Sequence, residues 1–477
     1  MLISNDVFVH NYKDKSIVVS LINGNMVFLR QTDDVLNIIN SNHEYRSFLS
    51  SHVITDLVYN KSNYKLINIG INASNACNLN CTYCFDNKKI KKRLEIQDID
   101  DYIKYIVNEF PNIEKVIIDP TGSREPLLNI ELISQIAQIS SEFSDTYKRE
   151  FLTMLVTNGT LLDNRNVDVL RKSNVLFGVS IDGKKKTHDV NRIDFQGMGS
   201  YKKIITNVKH ITNRQLLGAA VTLNADNINV SEIYKHIIKY FPTISIKPAR
   251  GVGEKYINHN NIDQVVNEYE KFNKFLIRKT KMEDYRFIAA IINGDDYFGK
   301  FIYRVLINEK VSTRCDAGLS RFSLDSDHKI YSCSAALGIR DLCIGSLEEG
   351  IDIDKQAELF RVLHNKSGCM TCEAKYYCGG ECMVNSFYNT GRIDHIDPIM
   401  CRLKKTFFRL ALEFKAEIMG HKNIYYKLIA GSIEKSKRFI LDRELDAILS
   451  KHQEYTFTEL KHIKDTNENF YNTLKNS

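Results

Sequence analysis

Cys77-Asn78-Leu79-Asn80-Cys81-Thr82-Tyr83-Cys84 sets three cysteines at CxxxCxxC spacing, directly after the β-rich run Leu66–Ser74. Three thiolates can hold three irons of a four-iron cubane and leave the fourth iron without a protein ligand. Most iron–sulfur sites that only move electrons use four cysteines. An incomplete set therefore points to a cluster that itself binds a further molecule. Taken alone, the motif also fits part of a zinc site or a group of buried thiols, so its surroundings decide.

Outward from the motif, residues 63–310 alternate strand and helix patterns. Strand candidates are Leu66–Ala73, Lys115–Asp119, Phe151–Thr157, Val175–Ile181, Leu216–Leu223 and Ile244–Pro248. Helical runs such as Ile130–Phe143, Tyr201–Ile211 and Ser231–Tyr240 lie between them, and Ile262–Lys279 reads as a long amphipathic helix leading away. Such alternation predicts βαβ units around a parallel sheet. The motif falls in the loop after the first strand, where barrel folds keep their chemistry.

With its aromatic before the last cysteine, this segment resembles the radical S-adenosylmethionine (SAM) enzymes. The resemblance runs over about residues 66–250 and implies an α/β fold built on a partial (β/α)6 barrel. In that family the open iron chelates SAM, and electron transfer cleaves it to a 5′-deoxyadenosyl radical that abstracts a substrate hydrogen. Thr121-Gly122-Ser123-Arg124-Glu125-Pro126 stands where the family usually has Gly-Gly-Glu-Pro. Ser123, Arg124 and Glu125 are thereby implied SAM neighbours, although Ser123-Arg124 replaces residues that allow close backbone approach. Thr157-Asn158-Gly159-Thr160 and Ser180-Ile181-Asp182-Gly183, followed by His188-Asp189 and Arg192, match family segments closely. They imply SAM contacts at Asn158, Ser180, Asp182 and Arg192, with the planar guanidinium suited to a carboxylate. Leu223 and Tyr83 are implied along the adenine. His188 is read as ordering its loop, and no side chain is assigned a catalytic role, because the cofactor carries the hard chemistry.

A second cysteine set follows: Cys315, Cys333, Cys343, Cys369, Cys372, Cys378, Cys382 and Cys401. Without Cys343 it resembles the SPASM domain, over about residues 315–401, which implies two auxiliary [4Fe–4S] clusters and three clusters in all. By that resemblance Cys369, Cys372, Cys378 and Cys401 hold one cluster completely. Cys315, Cys333 and Cys382 hold the other, whose fourth ligand is either Cys343 or a substrate thiolate. Asp327–Cys333 looks like the SPASM hairpin, with His328 where glycine is usual. Paired zinc sites are the rival reading.

Residues 1–62 show three short strands and helix signals, a winged-helix-like (α+β) pattern. One use of that shape is DNA binding, which wants a basic recognition helix. Thr32–Asn42 carries two acids and no lysine, so nucleic acid is not expected. The other use is gripping a leader peptide as an added strand, and a plain packing extension stays open beside it. The expected domains are thus 1–62, 63–310, 311–405 (SPASM) and a helical C-terminal extension at 406–477.

Of 477 residues, 43% are hydrophobic and 26% charged, and the net charge of +7 is mild for this size. These values describe a globular chain of several domains. No signal peptide and no bilayer-spanning run is read, so the expectation is a cytoplasmic protein without a membrane partner, its eleven cysteines serving as metal ligands rather than disulfides. SPASM enzymes mostly modify ribosomally made peptides or proteins. The implied function is a radical SAM peptide maturase that binds a precursor peptide through its leader and installs a cross-link, most consistently a Cys-derived thioether. An external flavodoxin or ferredoxin would supply electrons. Two alternatives are an anaerobic sulfatase maturase, which forms formylglycine, and a non-catalytic iron–sulfur redox sensor. The sulfatase-maturase family places an Asp directly after the hairpin cysteine, where this chain has Ser334.

Overall fold

The computed structural model describes residues 2–51, 64–85, 94–122, 124–211, 216–293, 295–364, 368–369 and 371–421. Ser123, the stretch 52–62 of the expected N-terminal unit and residues 422–477 of the expected C-terminal extension lie outside the described residues.

The first unit is an antiparallel sheet of β1 (Val7–Tyr12), β2 (Lys15–Ser20) and β3 (Met26–Arg30), in that order, followed by α1 (Val35–Ser41) and α2 (His43–Ser50). Its two faces bury different things, as the period of two along a strand requires. Val18 and Val27 pack with Val35, Ile39 and Leu49 into a small separate core. Ile17, Val19 and Met26 instead join the main core of the molecule.

The barrel sheet runs β4 (Leu66–Ile71), β5 (Lys115–Asp119), β6 (Glu150–Thr157), β7 (Leu176–Ser180), β8 (Leu216–Leu223) and β9 (Ile244–Pro248), all parallel. Helices α3 (Ile96–Glu109), α4 (Ile130–Tyr147), α5 (Asn164–Lys172), α6 (Lys185–Asn191), α7 (Tyr201–Lys209) and α8 (Val230–Ile237) connect the strands. In α3, Ile99, Tyr102, Ile103, Ile106 and Val107 share one buried face, the stripe that a helix needs to lie on a sheet. This is the parallel α/β sheet of βαβ units that the strand–helix alternation predicts.

After α9 (Ile262–Lys281), α10 (Arg286–Asn293) and α11 (Tyr297–Ile307), the chain returns to the same sheet. Strand β10 (Arg321–Leu324) pairs parallel to β4, and β11 (Lys329–Tyr331), β12 (Cys343–Ser346) and β13 (Gly350–Ile351) continue outward, making ten strands among the described residues. The cysteine-rich segment therefore extends the barrel sheet at its β4 edge, which no local pattern foretold. In the β10–β11 turn His328 adopts φ +59°, a left-handed conformation more easily met by glycine. The Asp325 carboxylate holds it, accepting from the Asp327 and Lys329 amides at 2.9 and 2.8 Å.

Beyond α12 (Ile353–His364) come α13 (Lys375–Cys378), α14 (Met383–Thr390) and α15 (Pro398–Ile418). Helix α15 runs through position 405, so the expected boundary between the third and fourth units falls inside one continuous helix. The N-terminal unit is locked to this part of the chain. Tyr376 and Tyr377 donate to the Ile22 and Gly24 carbonyls, and Glu417 receives Tyr12, Lys13 and Lys281. Among the described residues, no helix is long and apolar enough to cross a membrane.

Candidate active site

The C-terminal ends of β4–β8 bring together the segments singled out in the sequence. The loop after β4 carries Cys77, Cys81 and Cys84, none in a disulfide. Two strand-end turns hold that loop. The Asn158 side chain donates to Asn78 Oδ1 at 2.7 Å, and Asn78 donates to Thr160 Oγ1 at 2.8 Å. Glu125 fastens the turn from below. Its carboxylate accepts from Thr157 Oγ1 at 2.6 Å, the Asn158 amide at 2.7 Å and the Leu127 amide at 3.1 Å. Burial pushes the Glu125 carboxyl up, and these donors oppose the shift. The preceding Gly122 sits at φ +54°, where an added Cβ would lie 1.7 Å from Asn72 Oδ1. The glycine that remains in this loop is thus the one the backbone requires. Arg124 lies beside Glu125, its amide facing the Thr121 carbonyl at 3.4 Å.

Asp182, with no solvent exposure, is the second anchor. Its Oδ2 accepts from Tyr83 and from Arg192 Nε at 2.8 Å, and its Oδ1 accepts from the Thr222 amide at 2.9 Å. Both oxygens thus have protein donors, and the guanidinium stands 5.5 Å over the Tyr83 ring. Its Nη2 reaches Thr222 Oγ1 at 3.4 Å. Ser180 ends β7 half-buried, in register with Ala220, and Leu223 is buried at the end of β8.

His188 is enclosed, and burial brings its pKa down to about 4. The neutral ring accepts the Asp182 amide at Nδ1 (3.2 Å), which leaves the proton on Nε2. Nε2 then donates to Ser200 Oγ at 2.9 Å, and Ser200 donates to the Arg192 carbonyl at 2.8 Å. The ring orders the loop that carries Arg192.

Burial pushes the Cys81 thiol up to about 11 and raises Cys77 as well, while each of these thiols feels the others of the motif. A desolvated thiolate of this kind is stable only beside compensating positive charge, which a metal centre supplies. The donor set fits an iron–sulfur group on that ground. Cys333 likewise stands within electrostatic reach of Cys315 and Cys382, and Cys378 within reach of Cys372 and Cys401. The Cys372 amide bonds the Cys369 carbonyl at 3.2 Å. Among the described residues no three His, Cys, Asp or Glu side chains close around a single ion; cubane ligands sit on separate irons and are spaced more widely. Cys343 lies opposite Tyr331 across β11–β12, with its thiol 3.7 Å from the Gly345 carbonyl.

Four charged residues around the second set escaped the sequence reading. Arg250 donates Nε to Asn385 Oδ1 at 2.9 Å, lies 4.9 Å from the Phe85 ring, and with Arg314 outweighs burial at Cys382, holding that thiol below its usual range. Lys404 pairs with Glu381 at 2.6 Å, and Glu381 accepts the Cys382 amide at 2.8 Å. Arg314 and Glu381 directly precede cysteines, a usable signal. Arg250 and Lys404 carried none.

Comparison with known proteins agrees with this geometry. The radical SAM superfamily model matches residues 71–237. A cysteine-type anaerobic sulfatase-maturating enzyme of Clostridium novyi is 24% identical over 367 residues, 70% of this chain and 92% of its own length. The radical SAM cyclopropyl synthase TigE of Paramaledivibacter caminithermalis is 21% identical over 367 residues, 73% of this chain and 74% of its own. In fold, the chain is similar to native anSMEcpe with bound AdoMet and Cp18Cys peptide, at TM-score 0.61 and 20% identity, over 75% of this chain and 99% of that one. The chain thus carries a radical SAM domain at residues 71–237 and has homologues among the sulfatase-maturating and peptide-modifying radical SAM maturases.

Proposed function

We propose that this maturase acts on a ribosomally made precursor peptide and joins a cysteine sulfur to a carbon of that peptide. The Cys77, Cys81 and Cys84 thiolates would hold the SAM-binding cluster, beside Asn158, Ser180, Arg192, Leu223 and the Arg124–Glu125 segment. SAM held there would supply, on one-electron reduction, the radical chemistry that removes a substrate hydrogen. The protein's own part is to order that site: Glu125 and Asn158 grip the cysteine loop, while Asp182 and His188 orient Arg192. Two auxiliary clusters on Cys369, Cys372, Cys378, Cys401 and on Cys315, Cys333, Cys382 would take the second electron. An external flavodoxin or ferredoxin would supply the first, in the cytoplasm.

The observation that carries the peptide reading is the N-terminal sheet, fastened by Tyr12, Lys13 and the Gly24 turn to the part of the chain that holds the second cysteine set. A leader added as a strand to that sheet would be held beside the enzyme that modifies its core. Formylglycine formation on a protein is the second reading, favoured by the sulfatase-maturating relatives. Against it, the position after Cys333 is Ser334, whose hydroxyl lies 2.0 Å from where a Gly70 Cβ would stand, and it offers no carboxylate base.

The test is anaerobic co-expression with a short peptide encoded beside the gene, then peptide mass spectrometry with and without thiol alkylation. Loss of two hydrogens together with one alkylatable thiol is expected. Hydrogen loss with every thiol still alkylatable would replace the thioether by a carbon–carbon or carbon–oxygen link. An unchanged peptide, with SAM cleavage intact, would return the formylglycine reading.

A further inference from the structure

The stretch Val190–Met198, the last turn of α6 and the loop after it, is the most conspicuous surface feature that the site leaves unused. It exposes Phe195 and Met198 at 67% each and Val190 at 53%, three large apolar side chains within nine residues. The loop is not slack. The Asp194 carboxylate accepts the Gln196 and Met198 amides at 2.9 and 2.8 Å, and Ile193 bridges Gly199. It is also bonded directly to the cysteine loop: the Asn80 amide donates to the Ile193 carbonyl at 2.7 Å and the Thr82 amide to the Asn191 carbonyl at 3.0 Å. Asn80 and Thr82 flank Cys81. Electron transfer weakens steeply with distance, so a surface hydrogen-bonded to both chain neighbours of Cys81 is a natural entry point.

Charge surrounds this knob. Lys184, Lys185 and Lys186 stand at the start of α6, and Lys202 and Lys203 at the start of α7, all exposed. Lys185 reaches Asp189, and the Asp189 carboxylate also caps Tyr201 and packs on Gly199, so both helix starts border the knob. Lys184 pairs with Glu232. Among the described residues Lys186, Lys202 and Lys203 make no ion pair.

We propose that this apolar knob with its lysine rim is the docking surface for a flavodoxin-type donor, a small acidic protein whose exposed flavin edge would rest on Phe195 and Met198. The donor's reduced flavin gives up one electron, and the cluster at Cys77, Cys81 and Cys84 gains it. The proposal rests on the cluster assignment above. The lysine rim would speed encounter and make it salt-sensitive, and the apolar centre would hold the complex.

The test uses anaerobically reconstituted enzyme with a bacterial flavodoxin in its fully reduced form as probe, and dithionite as a donor that needs no dock. Two variants are compared, Phe195→Ser with Met198→Ser, and Lys186→Glu with Lys202→Glu and Lys203→Glu. Expected are a loss of flavodoxin affinity and of flavodoxin-driven cluster reduction of about tenfold or more, a salt dependence that the lysine variant loses, and unchanged dithionite-driven SAM cleavage. Flavodoxin kinetics unchanged in both variants would overturn the proposal. So would equal slowing with dithionite, loss of precursor-peptide binding in place of donor binding, or a wild-type enzyme that accepts only ferredoxin. A wild-type enzyme that fails to cleave SAM with dithionite would remove the cluster reading itself, a separate outcome.

Discussion

The Asp182 carboxylate and the Arg192 guanidinium meet at 2.8 Å at the end of the fourth parallel strand, with Asp182 shielded from solvent and Arg192 nearly so. Removing one partner of a buried pair leaves an uncompensated charge and costs about 3–5 kcal/mol. Asp182→Ala is therefore expected to lower unfolding free energy by that amount in chemical denaturation and to abolish SAM binding in a titration. Retained SAM affinity would show that Arg192 holds its position without Asp182.

His188 makes stability pH-dependent. Burial, its main cause, lowers the folded pKa from 6.5 to about 4; Asp182 and Asp189 oppose the shift and Arg192 adds to it. The unfolded chain binds the proton first as pH falls, so this contribution is complete above pH 6.5 and disappears towards pH 4. It amounts to about 3 kcal/mol at most. The wild type should lose stability between pH 6.5 and 4 more steeply than His188→Gln, measured by denaturant unfolding of both. Parallel curves would remove this role.

Glu417 anchors the N-terminal unit. Burial alone would raise its pKa, yet hydrogen bonds from Lys13, Lys281 and Tyr12 bring it down to about 2. Glu417→Ala should cost about 1–3 kcal/mol, concentrated at the junction. Hydrogen exchange in Val7–Tyr12 should speed up while exchange in the barrel strands stays as it was. Uniform acceleration across the barrel would mean the unit is part of one cooperative core.

Cys343 decides the iron count. Tyr331 faces Cys343 in the ladder, and the Ser332 amide reaches the Leu342 carbonyl at 3.0 Å. Cys343 is thus paired with the residue two positions before Cys333, which makes it the candidate fourth ligand to test. Cys343→Ala should lower bound iron by about four per chain and remove one spectroscopic cluster signal. Unchanged iron would leave the fourth position of the Cys315, Cys333 and Cys382 set to another ligand, such as a substrate thiolate.

Much of the site was legible because it is written in short segments at strand ends. Cys77–Cys84, Thr157–Thr160 and Ser180–Arg192 each carry their chemistry within a few consecutive residues, and the alternation of strands and helices carries them all to one end of a parallel sheet. Asp182 is the instructive case: its motif was visible, but the position of its carboxylate beneath Tyr83 and Arg192, rather than facing outward, required the fold. His328 is another, since its left-handed turn depends on Asp325 accepting two amides. What the sequence by itself determined about this protein was its set of strand-end loops and their ligand types, because local spacing dictates which side chains a turn can present. The tertiary structure alone decided that β10 adds to the β4 edge, that Arg250 spans from Phe85 to Asn385, and that Glu417 receives Tyr12 and Lys13. Those contacts join residues more than a hundred positions apart, and only burial of a shared core and compensation of buried charge can select them.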